Sequence, residues 1–258
     1  MIQVVTFNAW VGKNFDLRKG LILDKIEAES PDLIGFQECD DPMAAFLRRH
    51  LPEYLFLGNG RNADYRGENN MIAVKRDRFE VMSLDTFWLS DTPDVPGTRY
   101  SEQSICPRLC THVLLRPWEG GEPFHYYNTH LDHESDWARV LGAQAIRKRM
   151  LEDQQSAPFR VILTGDMNAT PDSQAISVLR GTPDFPLEDL TGHIPNSWHG
   201  YGKKPDYPRI DYVFVHGFRA AKPARAWDDC PKYTLSDPQN PIFLYLSDHY
   251  PLAAYLED

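Results

Sequence analysis

The chain has 258 residues, with 27 lysines and arginines against 37 aspartates and glutamates, a net charge of −10. Apolar residues make up 42% and aromatic residues 12%, enough for a large buried core and too much for a disordered chain. No run of about 18 apolar residues is present, which excludes a membrane-spanning helix, and the acidic balance excludes a broad basic surface for loose binding along nucleic acid.

In chain order, Ile2–Phe7 reads as a strand that begins at once. No basic stretch precedes an apolar one there, so the segment is not read as a leader and a cytoplasmic protein is expected. Residues 16–29 carry helical apolar spacing through Leu17, Leu21, Ile22 and Ile26, until Pro31 stops the helix. Residues 32–36 form a short apolar strand, and 42–50 a helix. Strands are expected at 54–57, 71–75, 79–82 and 109–115. Between them Ser83–Arg108 reads as a loop, with Phe87, Trp88 and Tyr100 as buried anchors or as a stacking surface for a base or sugar.

Residues 124–129 read as a strand. A helix is expected from Ser135 to about Asp153, with Trp137, Val140, Leu141, Ala145, Ile146 and Met150 along its buried stripe. A strand at 160–164, a helix at 172–180 and strands at 210–215 and 250–255 complete the pattern. The proline-rich stretches 183–208 and 231–241 read as long surface loops. Strands outnumber helices and alternate with them, without repeats or linker-like segments, so a single layered α/β domain over 1–258 is expected. The four cysteines, Cys39, Cys106, Cys110 and Cys230, are too few and too scattered for a disulfide framework and read as buried free thiols.

The informative feature is where the polar residues sit. Nearly every expected core strand runs into a compact cluster of acids, amides or imidazoles: Asn8, Gln37-Glu38, Asn128 to His133, Asp166 to Asn168, Asp211 and Asp248-His249. Sites in layered α/β folds are built at strand ends, where loops converge. Glu38, Asp166, Asp211, Asp248, Asn8 and Asn168 offer oxygen donors and no thiolate, the donor chemistry of Mg²⁺ or Mn²⁺. His130 and His249 add proton transfer near neutral pH. Together these groups suit phosphoester hydrolysis. The stretch 128–133 also resembles the H-x-H-x-D-H zinc motif of metallo-β-lactamase-like hydrolases through His130, Asp132 and His133. Asn128 stands at that motif's first histidine, however, and the later zinc ligands have no counterparts.

The ordered set F-N-A-W (7–10), F-Q-E (36–38), G-E-N-N (67–70), N-T-H-L-D-H (128–133), G-D-M-N (165–168), R-I-D-Y (209–212) and S-D-H-Y-P (247–251) resembles the endonuclease/exonuclease/phosphatase superfamily. The resemblance covers essentially the whole chain. It implies a four-layered α/β/β/α sandwich, two packed β-sheets flanked by helices, with the site at one end of the sheets. It also implies Glu38 as the principal metal ligand, Asp248 as a second, and Asn8 as completing the metal and water network. Asp166 and Asn168 match the pair that orients or deprotonates the attacking water. His249 matches the histidine that stabilises the pentacovalent phosphate, and Asp211 the carboxylate that holds it. His130 matches a second histidine, for which Glu68 is the expected partner; pairing with a carboxylate is expected to keep each imidazole protonated.

Arg108 suits a phosphate contact or a surface ion pair. Asn128, Asp132 and His133 either support the site from behind or face the substrate. His50, His112, His125, His193, His199 and His216 read as structural or exposed. The substrate is expected to be a small or single-stranded phosphodiester or phosphomonoester, with a Mg²⁺ cofactor (Mn²⁺ serving equally), no membrane and no obligate protein partner. The alternatives are a DNA or RNA endonuclease or exonuclease of the same superfamily, or a non-catalytic phosphate-ligand binding protein. Two departures argue against an abasic-site endonuclease: Pro208 precedes Arg209-Ile210-Asp211 where a tryptophan is expected, and His130 stands in place of a tyrosine.

Overall fold

The computed structural model describes residues 1–11, 14–204, 206–229, 232–233 and 242–257. The elements run β1 (Ile2–Asn8), α1 (Phe15–Glu29), β2 (Leu33–Gln37), α2 (Asp41–His50), β3 (Tyr54–Leu57), β4 (Ile72–Lys75), β5 (Phe79–Trp88), β6 (Leu109–Pro117) and β7 (Phe124–His130). They continue with α3 (Asp136–Ser156), β8 (Arg160–Asp166), α4 (Gln174–Arg180), β9 (Glu188–Asp189), β10 (Asp211–His216), β11 (Arg219–Ala226), β12 (Lys232–Tyr233), β13 (Ile242–Phe243) and β14 (Leu252–Glu257).

Helix boundaries follow local chemistry. The Asp40 carboxylate accepts the Met43 N–H at 3.0 Å and starts α2, while Ser135 caps α3 through the Ala138 N–H at 3.2 Å. Two six-stranded mixed sheets form, ordered β11-β14-β1-β2-β4-β3 and β5-β6-β7-β8-β10-β9. The strands alternate faces with period two, so adjacent residues enter different cores. Val4 of β1, with Leu33, Ile72 and Val74, meets Val113, Phe124, Tyr126, Ile162 and Val213 of the other sheet. Val5, Phe7, Ile34 and Phe36 turn outward onto Ile22 and Ile26 of α1 and Met43 and Leu47 of α2. On the opposite outer face Cys110, Tyr127, Leu163 and Phe214 pack under Ile146 and Met150 of α3 and Ile176 and Leu179 of α4. The architecture is therefore the four-layered α/β/β/α sandwich. Among the described residues no helix is long and apolar enough to cross a membrane.

Several expectations change. Strand β5 extends through Trp88, pairing Phe79↔Pro117 to Trp88↔Leu109, so the first part of the expected Ser83–Arg108 loop, Ser83–Trp88, is zipped into the sheet. A register shift between Val81 and Ser83 breaks the alternation that would have revealed it. Phe87, Trp88 and Tyr100 are buried anchors. Strand β11, Arg-Ala-Ala-Lys-Pro-Ala-Arg-Ala, escapes sequence reading because it is an exposed edge strand with two register shifts and a proline.

Helix α3 buries Ala138, Gly142, Ala143, Ile146, Arg147 and Met150, leaving Trp137 48% exposed. Small residues face the sheet because the approach is close: a Cβ on Gly142 would lie 3.2 Å from Leu131 and Leu89. The 183–208 stretch is not a surface loop throughout. Leu187, Thr191, Ser197 and His199 are buried, and Arg209, itself buried, clamps the stretch through Asp189 at 2.9 Å. The other proline-rich stretch, 231–241, lies outside the described residues apart from 232–233, and Cys230 lies outside them too. Cys39 and Cys110 are buried, whereas Cys106 is half-buried and accepts a hydrogen bond from Arg61 Nη2 at 3.3 Å.

Candidate active site

Register brings the polar clusters together. Strands β1 and β2 are parallel with Asn8 opposite Gln37, so Asn8 and Glu38 leave the same end of one sheet. In the other sheet β7 and β8 are parallel with His130 opposite Asp166, and antiparallel β10 sets Asp211 opposite Asp166. The segment before β14 delivers Asp248 and His249, tied by a bridge between Trp198 and His249. These ends surround a cavity of about 400 Å³, lined by Glu38, Glu68, Arg108, His130, Asp166, Asn168, Asp248 and His249 among others.

At its floor Asp166 is buried. Its Oδ2 accepts from Asn8 Nδ2 at 2.9 Å and its Oδ1 from the Asn168 N–H at 2.9 Å. Burial, and after it the Asp211 charge, push this carboxyl up to about 7. His249 Nδ1 donates to Asp211 Oδ2 at 2.8 Å, leaving Nε2 facing the cavity, 3.7 Å from Asp166 Oδ2. Burial alone would depress the imidazole, but Asp211 and then Asp166 outweigh it and raise His249 to about 10. The Ser197 hydroxyl donates to the same Asp211 oxygen at 2.6 Å, fixing the carboxylate that fixes the ring.

Glu38 accepts from Asn8 Nδ2 at 3.1 Å and from the Val11 N–H at 3.3 Å. Its backbone sits at φ 54°, an uncommon conformation for a residue with a side chain, here at the site itself. Asp248 is held by Trp198 Nε1 at 3.2 Å. Burial raises its carboxyl, and the Glu38 charge adds to the rise. Donor atoms of Glu38, His130 and Asp166 lie within 4.8 Å of one another, as do those of Asp166, Asp211 and His249.

Five sequence expectations need correction. Glu68 is not the partner of His130: it lines the cavity but makes a two-pronged ion pair with Arg61, both contacts 2.6 Å. His130 Nε2 meets Asn168 Nδ2 at 2.9 Å, and burial, then Arg108, hold this imidazole well below the usual range, so it is neutral and not a protonated acid. Asn8 spends its amide N–H groups on two carboxylates and its Oδ1 on the Trp10 N–H at 3.0 Å, so it spaces acids instead of offering an oxygen to a cation. Asp132 is turned away, accepting from Ser135 N–H at 2.8 Å and Glu134 N–H at 3.1 Å, and also from the Ser104 hydroxyl. Asn128 is buried between the sheets, donating to Phe36 O at 2.8 Å and Met71 O at 3.1 Å and accepting from Gln37 at 2.7 Å and Thr164 at 3.0 Å. It sits against Gly35, where a Cβ would come within 2.5 Å of its Oδ1. Asn128→Ala should therefore cost about 3 kcal/mol of stability in denaturant unfolding while leaving KM essentially unchanged.

Arg108 does face the cavity, and it is no surface residue: it is 4% exposed, with Nη2 2.8 Å from His133 Nδ1. Its Nε has no hydrogen-bond partner among the described residues, the nearest carboxylate oxygen being Asp132 Oδ2 at 3.8 Å. Sequence reading missed Arg61, hidden in a Gly-Arg-Asn turn, and Arg18. The buried Arg18 donates to the carbonyls of Ala9 at 3.0 Å, Trp10 at 2.8 Å and Leu246, stitching the loop after β1 to the segment carrying Asp248. An arginine on the apolar stripe of α1, four residues before Ile22, was the available signal.

The model of the Endonuclease/Exonuclease/phosphatase family matches residues 5–249. The chain belongs to that family. It is 29% identical over 161 residues to uncharacterized protein L388 of Acanthamoeba polyphaga mimivirus, spanning 58% of each chain. In fold it is similar to the Bacteroides thetaiotaomicron mannosyl-6-phosphatase, with TM-score 0.89, 24% identity and 100% of both chains covered. It is also similar in fold to D. rerio TDP2 complexed with single strand DNA product, with TM-score 0.70 and 16% identity over 100% of this chain and 99% of that one. Members of this family are hydrolases acting on phosphoester bonds.

Proposed function

We propose that the chain hydrolyses a small phosphoester, a sugar phosphate being the first class to test, with a divalent cation held by Glu38 and Asp248. The observation that carries this reading is the Asp211–His249–Asp166 array, with Asn168 on the same carboxylate, at the floor of a cavity of small-molecule size. The acids fit the cation: Glu38 and Asp248 are half-buried and oxygen-donating, and burial and then the Glu38 charge raise the Asp248 carboxyl, a crowding that a hard cation relieves. Such an ion would polarise a phosphoryl oxygen and offset charge in the transition state.

The chain's own residues do the rest. Asp166, ionised above about pH 7, orients and deprotonates water on the phosphorus. Asn168 holds the line between that carboxylate and neutral His130. His249, kept protonated by Asp211, donates from Nε2 to a phosphate oxygen or to the departing alkoxide. Arg108, which lines the cavity, supplies the positive charge that meets the phosphate. Similarity to a mannosyl-6-phosphatase favours a sugar phosphate over a nucleic acid.

Dialysis against EDTA should abolish hydrolysis, Mg²⁺ or Mn²⁺ should restore it, and hexose 6-phosphates should be cleaved faster than bis-p-nitrophenyl phosphate, single-stranded DNA or plasmid. Activity indifferent to EDTA would remove the cation from this reading. Faster cleavage of DNA would favour the nuclease alternative, and silence on every phosphoester would leave the binding-protein one.

A further inference from the structure

Away from the catalytic cavity, His112 of β6, His125 of β7 and Asp153 in the last turns of α3 form a separate cluster, their donor atoms within 4.8 Å of one another. Pairing of His112 with Tyr127, and of His125 with Leu114, puts both imidazoles on the sheet face that α3 covers. His125 is the second residue of β7 and His130 the last, five residues on, so the cluster lies roughly 17 Å along the strand from the catalytic end.

We propose that this cluster is a second, transition-metal site that takes a Zn²⁺-class ion and pins the end of α3 to the sheet beneath it. Two imidazoles and a carboxylate from three elements are the donors such ions select, unlike the all-oxygen set at Glu38 and Asp248. Each donor is oriented by an outer partner, the arrangement that fixes tautomer and aim in metal sites. His125 Nε2 donates to Ala157 O at 2.9 Å, which leaves its Nδ1 lone pair turned inward. The Asp153 carboxylate accepts the Tyr127 hydroxyl at 2.6 Å, and Tyr127 stacks on His112 with centroids 4.2 Å apart. His112 Nε2 approaches His125 Nδ1 to 2.9 Å, and His112 Nδ1 lies 3.7 Å from Asp153 Oδ2.

Two nitrogens on a tetrahedral zinc stand roughly 3.3 Å apart, so the rings must open by about half an ångström and tilt until both lone pairs aim at the ion. The hydrogen between them passes to His112 Nδ1, and no proton is lost overall. Burial, then His125, holds His112 at about 3, so it is neutral and ready to ligate at physiological pH. The neighbouring charges are already matched, Arg149 being paired with Asp85 at 2.5 Å. Asp153 keeps 23% of its side chain exposed and provides the way in.

The test uses the full chain with Glu38→Gln, Asp248→Asn and Asp166→Asn, so that these catalytic acids do not contribute. After EDTA treatment and its removal, Co²⁺ should bind one equivalent with the intense visible bands of a tetrahedral N/O site, and Zn²⁺ should displace it. Zn²⁺ at a hundredfold excess over Kd should raise Tm by roughly 5 °C or more. His112→Gln with His125→Gln should remove the bands. Tyr127→Phe, which keeps all three donors, should weaken binding roughly 10- to 100-fold. Absence of the bands and of the Tm rise, or bands that survive the double histidine variant in a folded protein, would overturn the proposal. If the histidine variants do not fold, the Tyr127→Phe affinity decides: an unchanged Kd overturns it.

Discussion

Replacing Asp211 with asparagine should move both limbs of the pH–rate profile to lower pH and reduce kcat by roughly 10²- to 10³-fold. The ascending limb belongs to Asp166, which must lose a proton to act on water. The descending limb belongs to His249, which must keep one to donate it. Asp211 raises both groups: it is the foremost charge favouring protonated His249, up to about 10, and the charge that, after burial, pushes Asp166 up to about 7. Removing the Asp211 anion therefore lowers His249 and Asp166 together, and the plateau slides instead of narrowing. A bound cation shifts where the limbs start but not the direction in which this substitution moves them. The loss in kcat has a geometric source, since an asparagine amide no longer accepts the Nδ1–H as a carboxylate does, and the 2.8 Å contact that aims Nε2 is weakened. A descending limb that stays in place would show that His249 does not work as a protonated donor.

What the sequence revealed, and what it hid, has a common physical basis. The strand-end acids were legible because a parallel or antiparallel ladder carries the end of one strand to a fixed place beside its neighbour. Once Asp166 and Asp211 are each assigned to a strand end, their meeting follows from register, and Asn8 joins them from the other sheet because the two sheets pack face to face. The same logic fails where a side chain must choose between the two sheets. Asn128 shares a strand face with His130, two residues on, yet it lies between the sheets beside Gly35, where its amide donates to Phe36 O and Met71 O and never reaches the cavity.

Glu68 was assigned to His130 by position in a motif. The competing partner, Arg61, lies seven residues away across a tight turn and holds it from both oxygens. Asp132 likewise serves the start of α3, where unpaired N–H groups draw a carboxylate. For Asp132 and Asn128 the missing information was the location of backbone groups, and for Glu68 that of a neighbouring guanidinium, neither of which a pattern of hydrophobicity records.

Glu38→Gln should lower turnover by roughly 10³-fold, abolish the rise in Tm that Mg²⁺ gives the unaltered chain, and leave metal-free stability within about 1 kcal/mol. The three readouts separate a metal ligand from a merely structural acid. In the metal-free state Glu38 is crowded: its charge adds to the rise of both the Asp248 and Glu68 carboxyls, and its backbone occupies φ 54°. Neutralising it relieves that repulsion, which offsets the loss of one acceptor, since a glutamine cannot serve both Asn8 Nδ2 and the Val11 N–H. With Mg²⁺ the balance reverses. The crowding that costs stability without a cation is what binds one, and mass action returns the binding free energy as a higher Tm only where the charge is intact. Calorimetric scans with and without Mg²⁺, run on both proteins beside the hydrolysis assay, measure all three quantities. A Mg²⁺-dependent rise in Tm that persists in Glu38→Gln would move the cation elsewhere, to Asp166 and its neighbours. A large loss of metal-free stability would make Glu38 a structural residue.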